Sequence, residues 1–155
     1  MFYDIAAVDL LLWAFPGRVG SEVVPTVMEN VQMPVTVDGK SMTLTLRDTA
    51  GGDDFARIRP LSYQRASVAL VCFSVASRSS YDRVSSVWAP ELDAHCPSVP
   101  RLVVGLATDV GDDRVVTAAE GRALSEAIGA AEYVEASAKT GGVEAASAVL
   151  DAALA

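Results

Sequence analysis

The sequence predicts a three-layer α/β sandwich with a mainly parallel sheet, and three observations lead there. Residues 68–75 and 101–105 are short, unbroken, Val-rich apolar runs, the pattern of parallel strands covered on both faces. Between and after them, apolar residues recur at helical spacing. Ahead of them, residues 35–46 alternate apolar and polar around an Asp-Gly pair, the pattern of a half-buried hairpin.

The elements come in order. Val35 and Val37, Asp38-Gly39, then Met42, Leu44 and Leu46 form the hairpin, and residues 48–52 end its second strand in a loop. The run 68–75 is the next strand. Tyr81, Val84, Val87, Trp88 and Leu92 form the buried stripe of a crossover helix. The run 101–105 is a second central strand. Thr117-Ala-Ala-Glu120 has the capping-box spacing and opens a helix through Leu124 and Ile128. A strand over 133–135 and a terminal helix with Val143, Leu150 and Leu154 on one face complete the chain. Ligands of such sheets sit outside the carboxyl ends of the strands. The loops 48–52, 106–109 and 137–139 therefore fall on one rim.

Composition excludes several functions. A single domain over residues 1–155 is the reading for this length. A formal charge of −8 with 12 scattered Lys and Arg is unsuited to nucleic acid or an anionic membrane. Cys72 and Cys96 read as two reduced thiols, which predicts a cytoplasmic setting. Residues 5–15 are apolar but short and carry Asp9, so neither a signal peptide nor a membrane span is expected. The last residues lack a prenylation motif, so no direct membrane anchor is expected. His95, the sole histidine, belongs to no Ser/His/Asp or Cys/His set, and no catalytic residue is assigned.

Val24-Pro-Thr-Val27, Asp48-Thr-Ala-Gly51, Cys72-Phe-Ser74 and Glu135-Ala-Ser-Ala-Lys-Thr140 follow one another along the chain, and this run of motifs resembles the Rho branch of the Ras-like small GTPases. Val24-Pro-Thr-Val27 with Glu29-Asn30 resembles the first switch, and Val37-Asp-Gly-Lys40 the hairpin turn behind it. Asp48-Thr-Ala-Gly51 and Arg57-Ile-Arg-Pro-Leu-Ser-Tyr63 resemble the second switch. Cys72-Phe-Ser74, Trp88-Ala-Pro-Glu91, Cys96-Pro97, Val99-Pro100 and Glu135-Ala-Ser-Ala-Lys-Thr140 continue the match. The resemblance implies a Ras-like P-loop NTPase fold, with GTP or GDP and Mg²⁺ as ligands. By position it makes Thr26 and Asp48 the Mg²⁺ residues and Gly51 a backbone donor to the γ-phosphate. Asp109 becomes the acceptor for the guanine edge, and Ser137, Ala138 and Lys139 line the base. It also implies effector or regulator proteins as partners, through Val27, Met28, Glu29, Phe55, Arg57 and Arg59, all read as exposed.

The departures from that pattern concern the chemistry. The first strand and phosphate loop, GxxxxGK[ST], are expected to be missing or altered, with Ala6-Ala7-Val8 where Gly-Lys-[Ser/Thr] would stand. Three readings of this end stay open: residues 2–8 as a makeshift strand, residues 10–15 as the remnant of the first helix, or a truncated chain. The base motif NKxD reads Leu106-Ala-Thr-Asp109, and Gly52 replaces the glutamine that orients water. At roughly 1.5–3 kcal/mol for each lost contact, binding weakens by about 10³ to 10⁶. The insert helix of Rho proteins has no room between Asp109 and the next helix. The expectation is a Rho-like pseudo-GTPase or weak GTP binder with very weak or absent hydrolysis. A working Rho-type switch with slow hydrolysis is the alternative, and an unfolded truncated product the third.

Overall fold

The sheet is built around a strand that the motif comparison leaves out. The computed structural model describes residues 2–8, 28–37, 39–49, 51–137, 139–140, 148–149 and 151–153. Its six strands are β1 (Phe2–Val8), β2 (Met28–Val37), β3 (Lys40–Thr49), β4 (Val68–Ser74), β5 (Arg101–Leu106) and β6 (Glu132–Ala136), in the order β2-β3-β1-β4-β5-β6. β1 runs parallel to both β3 and β4, with Ile5 opposite Leu46 and Val68. Of the readings left open for this end, residues 2–8 as a strand is the one the structure shows, which corrects the expected loss of a first strand: Phe2–Val8 occupies the middle of the sheet and shields the edges of β3 and β4. Ala6, Ala7 and Val8 pair with Arg47, Asp48 and Thr49, so they are strand residues and not the remains of a phosphate loop. The reading of 10–15 as a helix remnant lies outside the described residues.

The remaining elements appear in the expected order but with wider bounds: β2 begins at Met28 rather than near Val35, and β3 runs to Thr49, so Asp48 and Thr49, expected in a loop, are strand residues. β2 and β3 pair antiparallel from Met28↔Thr49 to Val37↔Lys40, leaving a two-residue turn in which Gly39 adopts φ 73°. That left-handed conformation is one glycine takes without a Cβ penalty. β4 and β5 are buried almost throughout. β6 exceeds the expected strand by one residue at each end. The crossover between β4 and β5 is α1 (Arg78–Arg83), a π-turn (Val84–Trp88) and α2 (Ala89–His95). Helix α3 (Ala118–Ala127) begins with the capping box the sequence predicts: Thr117 Oγ1 accepts from Glu120 N at 3.2 Å, and Thr117 N donates to Glu120 Oε2 at 2.8 Å. Of the terminal helix, Val149 is buried, while Val143, Leu150 and Leu154 lie outside the described residues.

Strand alternation divides the apolar side chains between two cores. Ala69, Val71 and Phe73 of β4 face the crossover helices and α3, packing with Trp88, Leu92, Val103 and Leu124. Val68, Leu70 and Cys72 face the other way, with Leu44, Leu46, Leu102, Val104 and Val149. Cys72 and Cys96 are both buried, and neither is in a disulfide. Among the described residues no helix is long and apolar enough to cross a membrane.

Candidate functional site

Five strands point the same way, so the loops after β3, β5 and β6 share a rim, as the sequence predicts. Asp48 and the residues after β5 are three strand spacings apart, about 14 Å at ~4.8 Å each.

The end beside β5 and β6 is assembled. β5 finishes at Leu106, whose side chain is buried in the core, and Ala107 then takes a left-handed turn (φ 60°, ψ 43°). The next turn delivers Asp109 beneath Ser137, the residue immediately after β6. Ser137 Oγ donates to Asp109 Oδ1 at 2.5 Å and accepts from Thr140 N at 3.2 Å, tying both loops together. That hydrogen bond, with added attraction from Lys139, holds the Asp109 carboxyl below its usual range. Lys139 Nζ lies 3.8 Å from Asp109 Oδ2 but is 78% exposed, so solvent screens the pair heavily. Asp109, Ser137 and Lys139 are thus brought together, and Ala138 lies outside the described residues. Leu106 and Ala107 offer no polar side chain.

The opposite end is sparser. Asp48 is buried near the carboxyl end of β3, in register with Ala7 of β1 and Glu29 of β2. Thr26 and Val27 lie outside the described residues. Met28 and Glu29 open β2, where only their backbone is described. Among the described residues no group of three or more His, Cys, Asp and Glu could hold a metal ion. Gly51 is half-buried after β3, and Gly52 is exposed in extended backbone (φ −70°, ψ 147°). The sequence holds no GxxxxGK[ST], and its one Gly-Lys-Ser, residues 39–41, starts β3 at the other end of the sheet.

The segment after Gly51 differs most from expectation. It makes two 3₁₀ turns, Asp53–Phe55 and Arg59–Tyr63. Arg59 is not an exposed partner contact: its side chain is 1% exposed and forms a two-pronged ion pair with Glu91 of α2. It also donates to the Gly52 carbonyl at 3.0 Å and stacks over Trp88 at 4.7 Å from the ring centre. Tyr63 donates its hydroxyl to Glu91 as well, and burial followed by that bond pushes its pKa far up. A Glu three residues after Trp88 in the stripe of a helix was the available signal for a buried cation. Phe55 is half-buried rather than exposed, while Arg57 is exposed as expected. Sequence reasoning missed Ile58 and Leu61, which are 49% and 62% exposed.

Residues 10–152 match the model of the Ras family. The match covers far more than half of the 155 residues. This chain belongs to the Ras family and is, at that level, a small GTPase-like signalling protein.

Proposed function

We propose that this chain is a Rho-like pseudo-GTPase that acts by presenting the surface around residues 51–66 to partner proteins. One observation carries the reading: β1 is present, yet the chain runs on from it as Asp9-Leu-Leu-Leu-Trp-Ala-Phe, with no glycine before Gly17. A phosphate cradle needs glycines that let backbone N–H groups approach, and a Lys to balance charge. Neither comes directly after Val8. Gly52 offers no side chain to orient a water, which supports very weak or absent hydrolysis.

The metal reading is limited in the same way. Asp48 has the oxygen chemistry a hard cation prefers, and Thr26 would add a hydroxyl. The remaining ligands of a Mg²⁺ held there would be phosphate oxygens of the nucleotide and water.

A second reading, a slow Rho-type switch that still binds GTP, draws on the intact corner of Asp109, Ser137 and Lys139. Gly51 would donate its N–H to the γ-phosphate, Ala138 would line the base, and Val27, Met28 and Glu29 would contact effectors. A titration with a fluorescent GTP analogue and Mg²⁺, with thermal midpoints in GTP, GDP and ATP, separates the two. The pseudo-GTPase reading expects a folded protein that carries no nucleotide and shows no shift at about 1 mM GTP, a Kd limit worth roughly −4 kcal/mol. Saturable binding that raises the midpoint with GTP and GDP but not ATP, and is abolished by Asp109→Ala, would install the switch reading instead.

A further inference from the structure

Ile58 and Leu61 are two of the three large hydrophobic side chains exposed among the described residues, Val115 being the third. They lie on one ridge, because Leu61 N donates to the Ile58 carbonyl at 3.0 Å and a 3₁₀ turn repeats every three residues. Gln64, the next position on that line, is exposed too, and exposed Arg57 and Arg65 flank the ridge at its two ends.

The other side of this segment is fastened to the fold at several points. Arg59 and Tyr63 hold Glu91 of α2. Arg47 of β3 donates from Nη1 to the carbonyls of Ser62 at 3.1 Å and Gln64 at 2.9 Å. Arg83 pairs with Asp53 at 2.6 Å, and Trp88 lies under both Arg59 and Arg83. Each of these contacts is made by the chain itself.

We propose that residues 57–65 form a docking ridge, in place without nucleotide, for an acidic protein segment that presents apolar side chains between carboxylates. This rests on the partner-binding reading above and names the partner's chemistry. Ile58 and Leu61 supply the apolar contact. Arg57 and Arg65 supply guanidinium forks whose donors match carboxylates in pairs. The net charge of −8 opposes an acidic partner at long range, but screening over about 8 Å at physiological salt leaves the nearby groups in control. Of the two acidic residues in the segment after Gly51, Asp53 is paired with Arg83 and Asp54 is exposed.

The probe is a labelled amphipathic peptide of about five helical turns, with Leu along one face and Glu beside it, compared by anisotropy with the same peptide carrying Lys for Glu. The nucleotide-free full chain should bind the Glu peptide at least ~10-fold more tightly, about one factor of ten in Kd. Leu61→Asp should weaken it by a similar factor, and the pair Arg57→Glu and Arg65→Glu should reverse the preference. GTP or GDP with Mg²⁺ should leave both the affinity and the amide exchange of residues 57–65 unchanged. Equal binding of both peptides, no binding of the Glu peptide at ~1 mM, or exchange in 57–65 that changes with GTP overturns the proposal. The pseudo-GTPase reading fails on a different result, the GTP-dependent thermal shift, so the two failures are distinct.

Discussion

Arg59 and Glu91 face each other through two parallel hydrogen bonds, Nε to Oε1 at 2.8 Å and Nη2 to Oε2 at 2.6 Å. They are 32 residues apart in sequence, one in the loop after β3 and the other on α2. The pair joins a segment that the family resemblance marks as a switch to the rigid body of the domain. A third bond, from Arg59 to the Gly52 carbonyl, carries the hold back to the rim.

Removing Glu91 takes the paired carboxylate away from a buried guanidinium. Burial opposes the charge on Glu91, and the bonds from Arg59 and Tyr63 more than offset it, so its carboxyl titrates below the usual range. Glu91→Ala leaves Arg59 buried without its carboxylate, which costs about 3 kcal/mol or more. The thermal midpoint should fall by roughly 6–12 °C, at about 2–4 °C per kcal/mol. Urea unfolding that shows a loss below ~1 kcal/mol would mean the pair is far more solvated than its burial indicates.

Gly121 of α3 and Gly105 of β5 both abut the ring of Tyr133, and a Cβ built on either would overlap it. The ring is fixed by its bond to Glu135 at 2.8 Å, which Arg114 in turn holds. Gly121→Ala should therefore destabilise by about 1–3 kcal/mol despite the better helix propensity of alanine. Adding Tyr133→Leu to Gly121→Ala should recover part of the loss. A single Gly121→Ala variant as stable as the wild type in chemical denaturation contradicts this packing.

The capping box of α3 sets a pH dependence. The Thr117 backbone N–H, then its hydroxyl, then Arg78 pull the Glu120 carboxyl from 4.5 down to about 2. Its folded pKa lies below the unfolded one. The stability it contributes is therefore complete above about 4.5 and is lost as pH falls toward 2. Glu91 and Glu135 are also lowered and act with the same sign. Carboxyl NMR titration should place Glu120 near 2, and Thr117→Ala should raise it and weaken the helix start by about 1 kcal/mol. A Glu120 that titrates near 4.5 in the folded protein refutes the capping geometry.

The sequence discloses what depends on local pattern and conceals what depends on pairing at a distance. β4 and β5 are visible because continuous Val-rich runs leave no polar face, and β2–β3 because residues 35–46 alternate around Asp38-Gly39. β1 is legible only as one of several readings of residues 2–8, since Asp4 interrupts the apolar pattern and its place in the sheet comes from pairing with strands some 40 and 60 residues away. Asp109 and Ser137 stand out as motif residues, yet only the β5–β6 register brings them within 2.5 Å. Arg59 escapes any reading that counts arginine as exposed, because a buried guanidinium is tolerated only where a partner such as Glu91 meets it.

Gly52 tests whether the missing glutamine or the missing phosphate loop limits this protein. Its φ of −70° is open to any residue, and an added Cβ would meet only the Phe55 ring, at an ordinary 3.4 Å. Gly52→Gln should therefore fold with stability within about 0.5 kcal/mol of the wild type. A glutamine can orient water only against a phosphate that is held in place, and the residues directly after β1, Asp9 to Phe15, include neither the glycines nor the lysine of a phosphate loop. Single-turnover assays with radiolabelled GTP should consequently find no more hydrolysis in Gly52→Gln than in the wild type. A rise of about tenfold or more, equivalent to ~1.4 kcal/mol off the barrier, would show that GTP is positioned after all and would favour the slow-switch reading.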